Sequence, residues 1–183
     1  MFRFSDANVY WTLHLLSDGR RIGRKRLSDM VGIGEGSMRR IIDTLREMEL
    51  ISIKQTGISI TEKGIRYLES IPIRVIDLDV GDSVAGEETQ SLMVLGVSDK
   101  VHNGMQQRDA GIKVGATSCT TFVIRDGILM VPPDWNVDIE KPELARKIRD
   151  ELGMSEKDTI IIGGGDTKAL AVEAAVAAAL EII

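Results

Sequence analysis

Between residues 34 and 51 the stretch GEGSMRRIIDTLREMELI sorts its side chains by helical period. Met38, Ile41, Ile42, Leu45 and Met48 recur at three- and four-residue steps, the spacing that aligns one side of an α-helix. Gly36, Arg39, Arg40, Asp43 and Glu47 fall on the opposite side. The pattern predicts a helix from Gly36 with a regular buried face. Its exposed face starts basic and ends acidic.

The flanking segments punctuate well. SDANVYWTLHLLSDG predicts a helix capped by Ser5 or Asp6 and stopped by Gly19. RRIGRKRLSDMVGIG holds a second, short helix around Lys25–Val31, closed by Gly32. After the central helix the period changes to two. Ile51 and Ile53, then Ile58 and Ile60, alternate with polar residues around a polar KQTG, which predicts a β-hairpin. Thr61 then caps a helix over TEKGIRYLESI.

Pro72 marks a boundary, and the pattern beyond it mixes periods. IRVIDLDV and SLMVLGV predict strands, with GDSVAGEETQ as a small-residue loop between them. SDKVHNGMQQRDAG has the composition of a helix, with Gly104 as its weak point. ATSCTTFVI and ILMVP flank an Asp-Gly turn and predict a hairpin. KPELARKIRDELG predicts a helix set between Pro142 and Gly153. DTIIIGGGDTKALAVEAAVAAALEII reads as a buried strand, a glycine run, and an alanine-rich helix capped by Asp166 or Thr167. The predicted fold class is α+β in two domains: a winged helix-turn-helix over residues 1–71, then a mixed α/β sheet-and-helix domain over residues 72–183.

Charge changes how these halves are read. Residues 1–70 hold twelve Lys and Arg against nine Asp and Glu, a balance of +3. The remaining residues hold eleven against nineteen, −8, which together give the net −5 of the chain. A basic half suits a polyanion, and an acidic half repels one. The 183 residues are 43% apolar and 28% charged, as globular proteins are. One cysteine, Cys119, cannot form an internal disulfide, which fits a reducing cytoplasm. MFRFSDANVYWTLHLL carries Asp6 and His14 and lacks a small-residue cleavage site, so it makes a poor signal peptide. No apolar run approaches the ~20 residues of a membrane span. A cytoplasmic protein with no membrane partner, no metal site and no cofactor is expected.

The order helix, helix, turn, helix, hairpin, helix resembles the winged helix-turn-helix of bacterial and archaeal transcription regulators. GEGSMRRIIDTLREMELI is similar to their recognition helix. ISITEKGIRYLESI resembles the second wing strand and following helix of MarR-like regulators, where a Thr-Glu-Lys-Gly run is common. The resemblance implies that the polar face of the third helix lies against double-stranded DNA. Arg39 and Arg40 then pair with guanine O6 and N7 or hold phosphates. Ser37 donates to a phosphate from the helix start. Arg24 and Lys25, in a basic cluster with Arg20, Arg21 and Arg26, contact the backbone, and Lys54 on the wing reaches a flanking phosphate or minor groove. Asp43 is expected as a partner of Arg39 or an acceptor from cytosine. One domain reads only a half-site, so a homodimer is expected. The chain as a whole is similar to uncharacterised archaeal winged-helix proteins with an α/β domain of unknown role, on its layout and on QQRDAGIKVGATSCTTFVI.

The second half offers two candidate sites for a small anionic effector. In GGGDTK, Gly164, Gly165, Asp166 and Thr167 lead into a helix start that presents backbone N–H groups to an anion. The competing reading, a tight turn in which glycines allow close packing, is the stronger of the two. Arg108, Asp109 and Lys113 sit in RDAGIKVGATS and line a pocket or an ordinary loop. Three functions follow. The leading one is a DNA-binding transcriptional regulator whose C-terminal domain senses an effector or dimerises. The alternative is an enzyme of small-molecule or nucleotide metabolism with a winged-helix appendage, which requires one pocket gathering Asp109, Lys113, Asp79 and the glycine run. The third is an assembly module that holds a partner protein. No residue is nominated as catalytic.

Overall fold

The computed structural model describes residues 4–183. Met1–Arg3, the first residues of the stretch that makes a poor signal peptide, lie outside the described residues. The fold is α+β, in two units: Met1–Ile71 and Pro72–Ile183.

The first unit is built on three helices: α1 (Asp6–Leu15), α2 (Arg24–Val31) and α3 (Glu35–Glu47). Ser5 caps α1 through a reciprocal capping box with Asn8. Gly32 closes α2 in the left-handed conformation, φ 75°, and the chain turns directly into α3. Met38, Ile41, Ile42 and Leu45 are all at most 5% exposed and meet Leu13, Leu16 and Leu27 in one core.

Met48 departs from the expected stripe and is 41% exposed. The helix ends at Glu47, Glu49 takes a positive φ of 62°, and the chain swings so that Leu50 takes the core position instead.

Strands β1 (Ile51–Lys54) and β2 (Gly57–Ile60) form the wing, with Ile51 opposite Ile60. Ile22 bridges Ile58 as a third, single-residue strand, so the segment before α2 lies along the wing. Helix α4 (Glu62–Ser70) follows.

The run Thr61–Gly64 has a physical cause at each end. The Thr61 hydroxyl donates to the Glu49 carbonyl (2.8 Å) and accepts from the Gly64 N–H (3.0 Å). Lys63 donates to the Glu49 carboxylate at 2.8 Å. A Cβ on Gly64 would lie 2.2 Å from the Leu50 carbonyl oxygen, so only glycine lets α4 seat on the wing.

The second unit is a six-stranded antiparallel sheet in the order β3-β4-β8-β5-β6-β7. In chain order the strands are β3 (Ile73–Ile76), β4 (Glu88–Val94), β5 (Ser118–Arg125), β6 (Ile128–Val131), β7 (Trp135–Asn136) and β8 (Thr159–Gly165). The helices are α5 (Met105–Lys113), α6 (Val137–Glu140), α7 (Pro142–Arg146) and α8 (Lys168–Leu180).

Strand β8 is central and every residue of it is buried. On one face Ile160 and Ile162 pack with Phe122, Met93, Leu144 and Ile148. Alternation turns Ile161 and Gly163 to the other face, where Gly163 lies under α8. Asp126 and Gly127 both hold positive φ at the β5–β6 turn, as the Asp-Gly pair predicts.

Several expected bounds shift. The strand over 73–80 ends at Ile76, though Leu78 and Val80 still reach the core. Strand β4 begins at Glu88, inside the expected loop, because residues 88–90 pair with the glycine run of β8. Backbone pairing needs no apolar side chain, so hydropathy does not mark it. Gly104, the weak point in the helix expected over 98–111, is the left-handed cap from which α5 starts.

The glycine run is corrected most. Gly163, Gly164 and Gly165 belong to the central strand, not to a loop before the helix. A Cβ on Gly163 would stand 2.2 Å from the Ala171 carbonyl oxygen, and one on Gly164 2.0 Å from the Ala85 carbonyl oxygen. These glycines let α8 and the 81–87 segment touch the sheet at backbone distance.

Arg149 ties the far end of the sheet together. It donates to the Asp138 carboxylate from Nε (3.1 Å) and Nη2 (2.8 Å), and to the Gly127 carbonyl (2.7 Å). Asp138 also accepts from the Leu129 N–H at 2.8 Å. The Arg149 side chain, hydrogen-bonded to Asp138, holds that carboxyl below its ordinary pKa.

Two stability outcomes follow. Gly163→Ala should cost about 2–4 kcal/mol, because backbone and not a flexible side chain must move; a thermal unfolding midpoint unchanged from wild type would contradict this packing role. Asp138→Asn should cost about 1–2 kcal/mol at pH 7. A depressed folded-state pKa contributes stability above the unfolded carboxylate value that is lost as pH falls through the folded value. The gap between wild type and Asp138→Asn should therefore close under acid. Urea unfolding followed by Trp135 fluorescence in a Trp11→Phe background measures it.

Candidate nucleic-acid interface

With the apolar side of α3 sunk in the core, helical geometry turns Arg39 and Arg40 outward, and both are exposed. They share a cleft of about 470 Å³ with Arg24, Glu35 and Gly36. Arg24 comes from the start of α2 and the others from the first two turns of α3. The helix-turn-helix thus gathers three guanidinium groups from two separate stretches of sequence.

One carboxylate sits among them. Glu35 approaches Arg24 at 3.6 Å across a pair about half exposed on each side. Such a pair is screened by water and dissolves readily in favour of a stronger anion. Arg40 and Ser37 already have interaction partners of their own, and Ser37 is half-buried. Asp43 reaches Arg46 at 3.7 Å, which replaces the Arg39 pairing expected for it. The i,i+3 spacing puts Arg46 one turn further along the same helix face.

On the wing, Lys54 is exposed at the end of β1. Arg21 donates from Nη1 to the Thr56 hydroxyl at 2.5 Å, which ties the basic segment before α2 to the wing tip. Arg20 is drawn to Asp18 by a 2.5 Å ion pair. Lys25 is exposed on α2.

The residues nominated for an effector separate. Arg108 lines a cavity of about 390 Å³ with Thr120, Thr121, Val131 and Pro132 among its walls. Asp109, Lys113 and residues 163–168 are not part of that lining. Gly164 and Gly165 are buried in β8. Asp166 accepts from the Thr117 hydroxyl at 3.2 Å, and Thr167 caps α8 by accepting from the Leu170 N–H. Asp79, required with them for an enzyme pocket, lines a different cavity beside Glu140 and Lys147. Neither of these two cavities gathers Asp79, Asp109, Lys113 and the glycine run together, as the enzyme reading requires.

Cys119 also borders the Arg108 cavity, and burial pushes its thiol up to about 12. It stays protonated at neutral pH and is a poor nucleophile.

Two features lay outside the reach of the sequence pattern. Glu35 enters the arginine cleft because the helix starts a residue before Gly36. Thr121 becomes a wall of the Arg108 cavity through strand register, which composition does not announce.

The family model described as CggR N-terminal DNA binding domain matches residues 8–73, and the one described as Domain of unknown function (DUF4443) matches residues 84–182. Among solved structures, the hypothetical protein PH0730 from Pyrococcus horikoshii OT3 is similar at 23% identity, with 98% of this chain and 93% of that chain covered and a TM-score of 0.75. At that identity the likeness shows the fold alone. No curated protein matches the chain. The chain therefore carries an N-terminal DNA-binding domain and a C-terminal domain of unknown function. The DNA-binding match is to CggR, not to the MarR-like regulators the wing motif suggested. Among the described residues no helix is long and apolar enough to cross a membrane.

Proposed function

The chain belongs to the family defined by the domain of unknown function DUF4443, and from that premise and its DNA-binding N-terminal domain we propose a transcriptional regulator whose C-terminal domain senses a small anionic effector and holds a homodimer. The single observation carrying the reading is the exposed cluster of Arg24, Arg39 and Arg40 at the start of α3.

A helix offered to the major groove uses its first two turns. Arg39 and Arg40 occupy those turns. One of them reads a guanine edge through O6 and N7 while the other, with Arg24 and Lys25, holds phosphates. DNA phosphate replaces Glu35 at Arg24. Lys54 and Arg21 follow the backbone where the wing passes. A second copy supplies the second half-site, and an effector that binds one dimer geometry better than another changes the spacing of the two α3 helices. The acidic C-terminal half contributes no attraction for DNA, which confines contact to the basic unit.

Retention of genomic fragments on the purified protein, measured as a function of salt, tests this. Arg39→Ala with Arg40→Ala should lower affinity at least about tenfold and flatten sequence preference. Glu35→Gln should raise affinity a few-fold by removing a like charge from the phosphate path. If the double variant retains the same fragments with the same affinity, the reading fails. Lys54→Ala should weaken binding evenly across sequences and reduce the slope of log K against log salt by about 0.9, the loss of one phosphate contact.

A further inference from the structure

We infer that the cavity under the first turn of α5 is a binding site for a small organic carboxylate with a short apolar body. This rests on the effector-sensing reading of the C-terminal domain and gives it a place and a chemistry.

The cavity measures about 390 Å³, at the lower end of the range for small-molecule pockets. Its floor is β5, its roof the start of α5, and its side wall Val131 at the end of β6 with Pro132 and Pro133 just beyond it. Arg108 is the one charged residue lining it. Among the described residues Arg108 has neither an ion pair nor a hydrogen bond from its side chain. A guanidinium fork without a partner at the mouth of a pocket suits a planar, two-oxygen anion.

A second observation is independent of that charge. Thr121 is 2% exposed, lines the same cavity, and its hydroxyl has no hydrogen-bond partner among the described residues. It sits directly beneath Gly104, where an added Cβ would meet the Thr121 Cβ at 3.8 Å. Buried polar atoms are satisfied in folded proteins in all but a few cases, and the Thr121 hydroxyl on this wall has its hydrogen-bonding capacity left for a polar ligand group.

The identity of the ligand follows from what the walls lack. One guanidinium balances one negative charge, and no second cation lines the cavity to hold a phosphate dianion. Val131, Pro132, Pro133 and Met105 offer an apolar surface for a hydrocarbon body. Arg108 takes the carboxylate and Thr121 donates to one of its oxygens or to a polar atom beside it.

The test is a titration of ¹⁵N-labelled full-length protein, without DNA, with 3-methylbutanoate, with its neutral analogue 3-methylbutanamide, and with inorganic phosphate. The carboxylate should produce saturable amide shifts at Gly104, Arg108 and Thr121. The neutral amide and phosphate should bind about tenfold more weakly or worse. Arg108→Gln, at an exposed position that leaves the fold intact, should weaken the carboxylate about tenfold. Thr121→Val should also weaken it while raising the thermal midpoint of the ligand-free protein, because it removes an unsatisfied buried hydroxyl.

No saturable shift with the carboxylate overturns the site. So does equal binding of the carboxylate and the amide, saturation by phosphate alone, or wild-type affinity in Arg108→Gln. A stabilised Thr121→Val with unchanged carboxylate affinity removes Thr121 from the site. DNA retention is measured separately, so failure here leaves the role of Arg39 and Arg40 standing, and loss of DNA retention leaves these shifts standing.

Discussion

The burial of one face of α3 is the constraint on which the DNA-binding unit depends. Met38, Ile41, Ile42 and Leu45 have one energetically acceptable place, the core shared with α1 and α2. Full burial of side chains of this size is worth roughly 1.5–3 kcal/mol each. That sum sets the rotation of the helix about its own axis. Once the rotation is set, Arg39 and Arg40 have no choice of direction. Their exposure is a consequence of the apolar residues that fill the opposite face of the same helix, and a charge placed at Ile41 or Ile42 would disturb the arginines by turning the helix.

The wing is held by the same economy. Its inner residues, Ile51 and Ile58, complete the helical core, and its outer end is left to polar and basic side chains. Thr61, Lys63 and Gly64 lock α4 beneath it with a cap, an ion pair and a backbone contact. Three of the four residues from Thr61 to Gly64 are in this way explained by geometry: each of the three answers a different demand at the point where the wing gives way to a helix.

The second unit obeys a different rule, close approach. Gly163, Gly164 and Gly165 in the strand, Gly111 in α5 and the alanines of α8 bring three backbones together around β8. A Cβ on Gly111 would stand 2.5 Å from that of Cys119. Where the start of α5 stands off from β5 the packing opens, and the Thr121 hydroxyl on that wall has no partner among the described residues. The domain is firm along the glycine seam and open beside Arg108.

The sequence by itself determined the period of each strong element, the caps Gly32 and Thr61, a choice of Ser5 or Asp6 and of Asp166 or Thr167 at two further helix starts, the hairpin turn at Asp126 and Gly127, and the outward position of the two arginines. These are local properties, decided within one or two turns of chain. Tertiary structure alone decided that three glycines belong to a central strand, that Met48 yields its place to Leu50, that Arg24 and Glu35 join the arginine cleft, and that Arg108 parts from Asp109 and Lys113. Each of these depends on which distant backbone comes alongside, Ala171 against Gly163 or α2 against α3, and no spacing along the chain encodes that partner.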